Sequence, residues 1–584
     1  MRSRQIRGSA LVTALAILMV LFITGSGVLA LSIQAMRRST FDAMRARTIA
    51  LADAGVEKAI YYLRTTAPDG SVTGTWRTTG YTESMSGLGE YTMVVEDGTG
   101  ANSGKIVVTS TGKAFFSSTG KVASNASGEI TWAANSTSAP SLSRTLRVVI
   151  KLTREDISVW NNAIFGGVGQ AGRSINGNVA IRGSVHLLGD GESWTDQDGD
   201  KRWDAGEAYS DSNGNGAYDA GEPYTDSDGD GHRDPRENFD DVNGNNACDP
   251  PLTVTDMGSE LSGTASMGNN YDIMPSSLRN LIPNPPTAVV GGETVETLNA
   301  KLRAKHGFVS ISGNAEVGEE DSPGGSPMRK ETMDGTFVSD GFGGSGGAQQ
   351  VHSDNGSKMK YDLGDGLVTF PTLTAPTVKN GVSYSSYMEY LRASGLNINT
   401  NVTITPGTAF GPYYDGKGNY LYVDSGGNMV IRGIVYVNGN ISLPKNGGNK
   451  TIRYVGRGTL VSTGSVNIDV DMTPSSSSFP INHALGVISR HDINLATGSG
   501  ASQLELAGAF YAQERITSAK QNELLGTFVT SYFSMTNVPH MYQVPSLPDY
   551  LPPGMPGSGR IWVKTVRIDS WREMNAPTKQ GLSI

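Results

Sequence analysis

The stretch Arg7–Leu31 reads RGSALVTALAILMVLFITGSGVLAL. Residues 9–31 form an uncharged, mostly apolar run of 23 residues. As a helix rising about 1.5 Å per residue, such a run spans a hydrocarbon core of roughly 30 Å. A removable secretory signal has a shorter apolar region, of about 7–15 residues, with its small-residue cleavage site after it. Here the small residue, Gly8, comes first, behind a leader carrying Arg2, Arg4 and Arg7. Cleavage at Gly8 therefore leaves the apolar helix on the mature chain. Outward from this stretch, residues 32–64 contain no proline, and Phe41, Met44, Thr48, Leu51, Val56, Ala59, Ile60 and Leu63 keep a helical period. The spacing predicts one helix over 9–64, about 80 Å long. It stops before the turn string Ala67-Pro68-Asp69-Gly70.

The leader, the cut site and the apolar run together resemble the prepilin leader of type IV pilins. That resemblance implies a dedicated prepilin peptidase that cuts between Gly8 and Ser9 and methylates the new N-terminus. Major pilins carry a Glu five residues into the mature chain, and this chain has Thr13 there. The Gly-Ser-Ala-Leu-Val start and Ala50-Leu-Ala-Asp-Ala-Gly-Val-Glu-Lys-Ala59 are similar to the PilX-type minor pilins, which lack that Glu. The resemblance covers residues 1–64. It implies an inner-membrane subunit with its bulk outside, packing on other pilins through the N-terminal helix and working near a tip adhesin. Arg37, Arg38, Arg45 and Arg47 after the span balance the leader arginines, so charge asymmetry alone does not orient it.

The expected fold class is mainly β. A long N-terminal helix, transmembrane in its first half, packs on a pilin-like antiparallel sheet over 65–155. Its strands are read at 91–95, 105–110 and 145–152, with a loop over 117–143 that leaves room for a short strand around Ile130-Thr131-Trp132. A β-helix or solenoid follows, beginning over 156–190 and resuming over 396–572, where a final strand is read at 560–569, with a tail at 573–584. Glycine-led apolar runs at Gly433, Gly458, Gly486, Gly508 and Gly526, spaced 25, 28, 22 and 18 residues, carry that expectation. Residues 253–395 read as mixed loops and solenoid strands, with short helices at 296–305 and 385–394 and a Gly/Ser-rich stretch at 322–358.

The net charge of −9 is concentrated in one place. Residues 190–252 hold 18 acidic and 4 basic side chains, a local net of −14, so the remainder carries +5. Within 191–252 one pattern recurs every 15 residues. Its four copies place oxygen-bearing side chains at Asp196, Asp198, Asp200, Asp204 and Glu207; at Asp211, Asn213, Asn215, Asp219 and Glu222; at Asp226, Asp228, Asp230, Asp234 and Glu237; and at Asp241, Asn243, Asn245 and Asp249, where Leu252 replaces the closing Glu. Loop positions 1, 3, 5, 9 and 12 can wrap six to eight oxygens around Ca²⁺. The match is to EF-hand-type loops, and the three-residue linkers make the helix-free thrombospondin type 3 loops the closer likeness. Without metal this charge density repels itself.

Other chemistry finds little support. Gly167-Val-Gly169-Gln-Ala-Gly172 matches a dinucleotide fingerprint as a string, but a β-like run follows where a helix belongs. His483, His491 and His540 show no metal spacing, and Asp469 and Asp471, expected on one strand face, are not singled out as a glycan-cleaving pair. No enzymatic activity and no nucleic-acid partner is expected, because basic residues are scattered. Cys248 is the single cysteine, so no internal disulfide forms. Two alternatives remain beside the minor pilin: a large minor pseudopilin of a type II secretion system, and a surface-anchored β-helix adhesin or glycan-acting protein.

Overall fold

A computed structural model of the chain describes residues 5–64, 77, 80–86, 88–115, 123–124, 130–131, 141–167, 178–191, 263–320 and 329–574 (save 365, 449–450 and 536–538), and a set of positions between 206 and 248. The chain forms two compact units, Met1–Asp156 with Trp562–Ile584, and Ile157–Ile561.

The first unit is built on one helix, Gln5–Arg64. Residues 12–31 of its apolar stretch are exposed, while Met44, Leu51, Ala52, Val56, Ala59 and Leu63 in the second half are buried. That second half lies on an antiparallel sheet ordered 81–85, 89–97, 106–115, 141–156 and 562–574. Ala52, Val56, Ala59 and Leu63 share a core with Met93, Val95, Val108, Leu146, Val148 and Ile150. Each Val, Leu or Ile so buried contributes about 1.5–3 kcal/mol. Two glycines let the layers close. A Cβ on Gly55 would stand 2.2 Å from Ser110 Oγ, and one on Gly112 only 2.1 Å from the Thr48 carbonyl oxygen.

The fifth strand corrects the sequence reading. Residues 562–574 were expected to end the solenoid and begin a tail, but Trp562–Met574 pairs with Ser141–Asp156, from Trp562↔Asp156 to Met574↔Thr145. Alternation identifies a strand but carries no information about a partner some 400 residues away. Within the stretch 117–143, Ala123–Ser124 pairs with Ile130–Thr131.

The second unit is dominated by a mostly parallel sheet of 22 strands that closes on itself like a barrel. Equivalent positions align from strand to strand about 4.8 Å apart. One inward row runs Val435, Leu460, Val487, Phe510, Phe528, Ile164, Val185 and Leu302, each buried. Phe510 and Phe528 stack at 4.6 Å with planes 4° apart. Chain order and spatial order differ: Ile164–Gly166, at the start of the unit, pairs with Phe528–Thr530 near its end. The periodic glycines fall in register only partly. Gly433 faces Gly458 and Gly508 faces Gly526, but Gly486 lies between Thr459 and Ala509.

Two further expectations change. The helix read at 296–305 is a strand at Lys301–Ala304, held between Val185–Leu187 and Gly335–Val338, so tertiary pairing overrides a helix-favouring string. The stretch 322–358 contains strands at Gly335–Val338 and Phe342–Gly343. The helix read at 385–394 is present as Tyr387–Ser394, capped by Ser386, whose hydroxyl accepts from the Glu389 amide.

The outer row beside the inward one includes Tyr511, Phe165, His186 and Arg303, and residues 357–373 cover it. Phe370 stacks on Tyr511, the Leu373 amide donates to Gln513, and Asp362 takes a two-pronged contact from Arg303 at 2.8 and 2.9 Å. His186 is buried against Phe165 and bonded to the Tyr361 hydroxyl at 2.8 Å. Burial foremost, then the Arg303 charge, lowers its pKa to about 3 from 6.5; Asp190 opposes them, and Lys305 adds the smallest push. A depressed histidine favours the fold fully above about pH 6.5, and that contribution is lost as pH falls through this range towards 3. The melting temperature should therefore fall between pH 6.5 and 4 more steeply in the wild type than in His186→Phe. Parallel curves would remove His186 as the cause.

Candidate metal centre

Of the four acidic repeats, the second is described at all five of its expected ligand positions. Its ends are clamped by an antiparallel bridge between Tyr209 and Tyr224, with the Ser210 amide donating to Pro223 O and the Thr225 amide to Ala208 O, both at 2.8 Å. The chain between must reverse sharply. Gly214 and Gly221 supply positive φ values of 71° and 106° that favour glycine.

Inside the clamp all five repeat side chains join one hydrogen-bond network. Asp211 Oδ1 accepts from the amides of Gly214 (2.6 Å) and Asn215 (3.2 Å). Asn213 Oδ1 accepts from the Asn215 amide at 2.9 Å. The side-chain amides of Asn213 and Asn215 both donate to Asp219 Oδ2, at 2.5 and 2.7 Å. Glu222, buried, accepts through Oε1 from the Ser212 amide (2.7 Å) and through Oε2 from the Asp219 amide (3.0 Å).

Three carboxylates and two carboxamides are therefore linked within one twelve-residue loop. Every donor they can offer a cation is a hard oxygen, the ligand type calcium takes. The two amides present nitrogen to Asp219, and rotating each about its last bond would present oxygen instead. The carboxylates are linked through amides rather than meeting at a point. Among the described residues no three His, Cys, Asp or Glu side chains stand close enough to share an ion. The donor set fits calcium, and closing it requires Asp211 and Glu222 to exchange backbone amides for the ion.

Sequence reading missed what holds the repeat together. Tyr218 packs edge-on against both Tyr209 (5.6 Å) and Tyr224 (6.0 Å), and Arg233 of the third repeat lies over the Tyr209 and Tyr218 rings at 4.4 and 4.9 Å. The signal was available: an aromatic occupies the middle of each three-residue linker, at Tyr209, Tyr224 and Phe239. Glu237, closing the third repeat, is buried. The remaining expected ligands, Asp196, Asp198, Asp200, Asp204, Glu207, Asp226, Asp228, Asp230, Asp234, Asp241, Asn243, Asn245 and Asp249, lie outside the described residues.

Gly8 and Ser9 sit within the helix Gln5–Arg64. Asp469 and Asp471 do not share a strand, as had been expected. One strand ends at Ile468 and the next begins at Asp471, because buried Val470 turns the corner between them. Asp469 accepts from the Gly498 amide, and Asp471 from the Glu505 amide and Thr451 hydroxyl. His491 and His540 pair with Glu514 and Glu523, and His483 accepts from the Gly456 amide. Comparison with known protein families, curated proteins and solved structures finds no match to this chain.

Proposed function

We propose that this chain is a PilX-like minor pilin of a type IV pilus, placed near the filament tip, where its second unit serves assembly or adhesion. One observation carries the reading. A single helix is exposed, apolar and free of charge over residues 12–31 and is buried on an antiparallel sheet over its second half. A soluble protein would bury such a surface. A subunit that waits in the inner membrane and then packs among other pilin helices has use for it in both states.

Two finer features belong to the same proposal. The closed parallel sheet is read as stacked coils of a β-solenoid, since neighbouring strands repeat in register about one strand-width apart. The acidic repeats are read as calcium loops, the described one holding its ion through Asp211, Asn213, Asn215, Asp219 and Glu222. Calcium there would neutralise the converging carboxylates and order the insertion.

The filament reading is tested at the N-terminus. Mass spectrometry of protein recovered from the native membrane should find a chain that begins at Ser9 and carries an N-methyl group. Recovery of residues 1–8 on the mature chain would overturn it.

A further inference from the structure

The segment 410–432 reads FGPYYDGKGNYLYVDSGGNMVIR, with four tyrosines in ten residues. It folds as strands Phe410–Tyr414, Tyr420–Val423 and Asn428–Val437, joined by two turns of one design. In the first, Asp415 accepts from the Lys417 and Asn419 amides and the Asn419 side chain. In the second, Asp424 accepts from the Gly426 and Asn428 amides and the Asn428 side chain. The two carboxylates are thus committed to the turns.

The register then assembles a flat face. Tyr414, Tyr420 and Arg432 stand side by side across three strands, and Tyr422, Val430 and Val455 form the next row. Asn428 beside Arg453 forms a third. The opposite face, with Leu421, Val423, Met429 and Ile431, is buried in the core. Tyr414 is 73% exposed, and Arg432 and Arg453 are exposed with no ion-pair partner among the described residues. The chain here turns Arg432 and Arg453 outward beside the tyrosines, while the carboxylates of Asp415 and Asp424 are held in the turns at the strand ends.

We infer that this face binds an acidic polysaccharide. Tyrosine rings offer flat apolar platforms with little rotamer entropy to lose, suited to the C–H face of a sugar ring. Guanidinium groups offer two-pronged contacts to carboxylates. Two arginines are few for a phosphate backbone, which calls for a charged groove along its length. The inference rests on the adhesive part of the proposed function and is independent of filament assembly.

The test is calorimetric titration of the full chain in detergent with polygalacturonate oligomers, an uncharged cello-oligomer and an oligothymidylate. Polygalacturonate should bind, more weakly at high salt. The double change Tyr414→Ala with Tyr422→Ala should weaken it about tenfold. Arg432→Gln with Arg453→Gln should weaken it and flatten the salt dependence, while Tyr414→Phe with Tyr422→Phe should retain binding. No binding of polygalacturonate, binding indifferent to both sets, or tighter binding of the cello-oligomer or the oligothymidylate would overturn the inference. N-terminal processing is measured separately, so failure here leaves the filament reading standing, and the reverse holds.

Discussion

Replacing Gly112 with valine should strip the antiparallel sheet from the N-terminal helix. The helix backbone passes so close that an added Cβ would meet Thr48 O at 2.1 Å and Ala52 N at 2.5 Å. Both obstacles are main-chain atoms, which cannot rotate aside as a side chain would. Gly55 fills the matching role from the helix, against Ser110 and Tyr91. Overpacking of a tight core costs about 1–3 kcal/mol, and here the separation would also uncover Val56, Val108 and Leu146, which the interface buries. Trypsin should then cleave at Arg45, Arg47 and Lys58 in the variant under conditions that spare the wild type, with a lowered melting temperature for this unit. Gly416→Ala is the control, since a Cβ there meets nothing within 4 Å. Unchanged digestion in Gly112→Val would refute the close-packing account.

Calcium should order the acidic repeats, and Glu222 should be decisive for the second of them. Without the ion, Glu222 satisfies the amides of Ser212 and Asp219. With calcium bound, the same carboxylate would close the ring opposite Asp211, which would contribute the other charged end. Extracellular calcium modules bind in the range of about 10⁻⁴–10⁻³ M. Protection of residues 206–225 from proteolysis should appear over that range and vanish with EGTA. Glu222→Gln keeps an acceptor for the Ser212 amide but loses a charge and should move the protection midpoint up about tenfold or more, whereas Asp211→Ala with Glu222→Ala should abolish it. Tyr218→Ala leaves every oxygen in place and should weaken protection by loosening the aromatic clamp. A digestion pattern indifferent to calcium in the wild type would end the metal reading.

What could be read from the sequence divides by distance along the chain. The helix Gln5–Arg64 was legible because period and length are local properties. The second repeat has its five side chains within twelve residues, and in the structure they join one hydrogen-bond network. The strand Trp562–Met574 was legible as a strand and illegible as a neighbour of Ser141–Asp156, since nothing local names a partner. The same gap hid the pairing of Ile164–Gly166 with Phe528–Thr530, so the strands were expected in chain order. Lys301–Ala304 was misread because its local preference is helical and only the flanking strands make it extended. The tyrosines of 410–422 stood out in composition but acquired meaning only when two matched turns laid them on one face.

The way the first unit is interrupted bears on how such a protein can change over generations. Asp156 and Trp562 face each other in the ladder, and from that sheet's side the 405 residues between them take the place of a hairpin turn. Any cargo whose two ends come within a strand's width of each other satisfies the same socket. The long apolar helix and its sheet can therefore be held constant under selection while the payload is exchanged, enlarged or shed by recombination at two adjoining points.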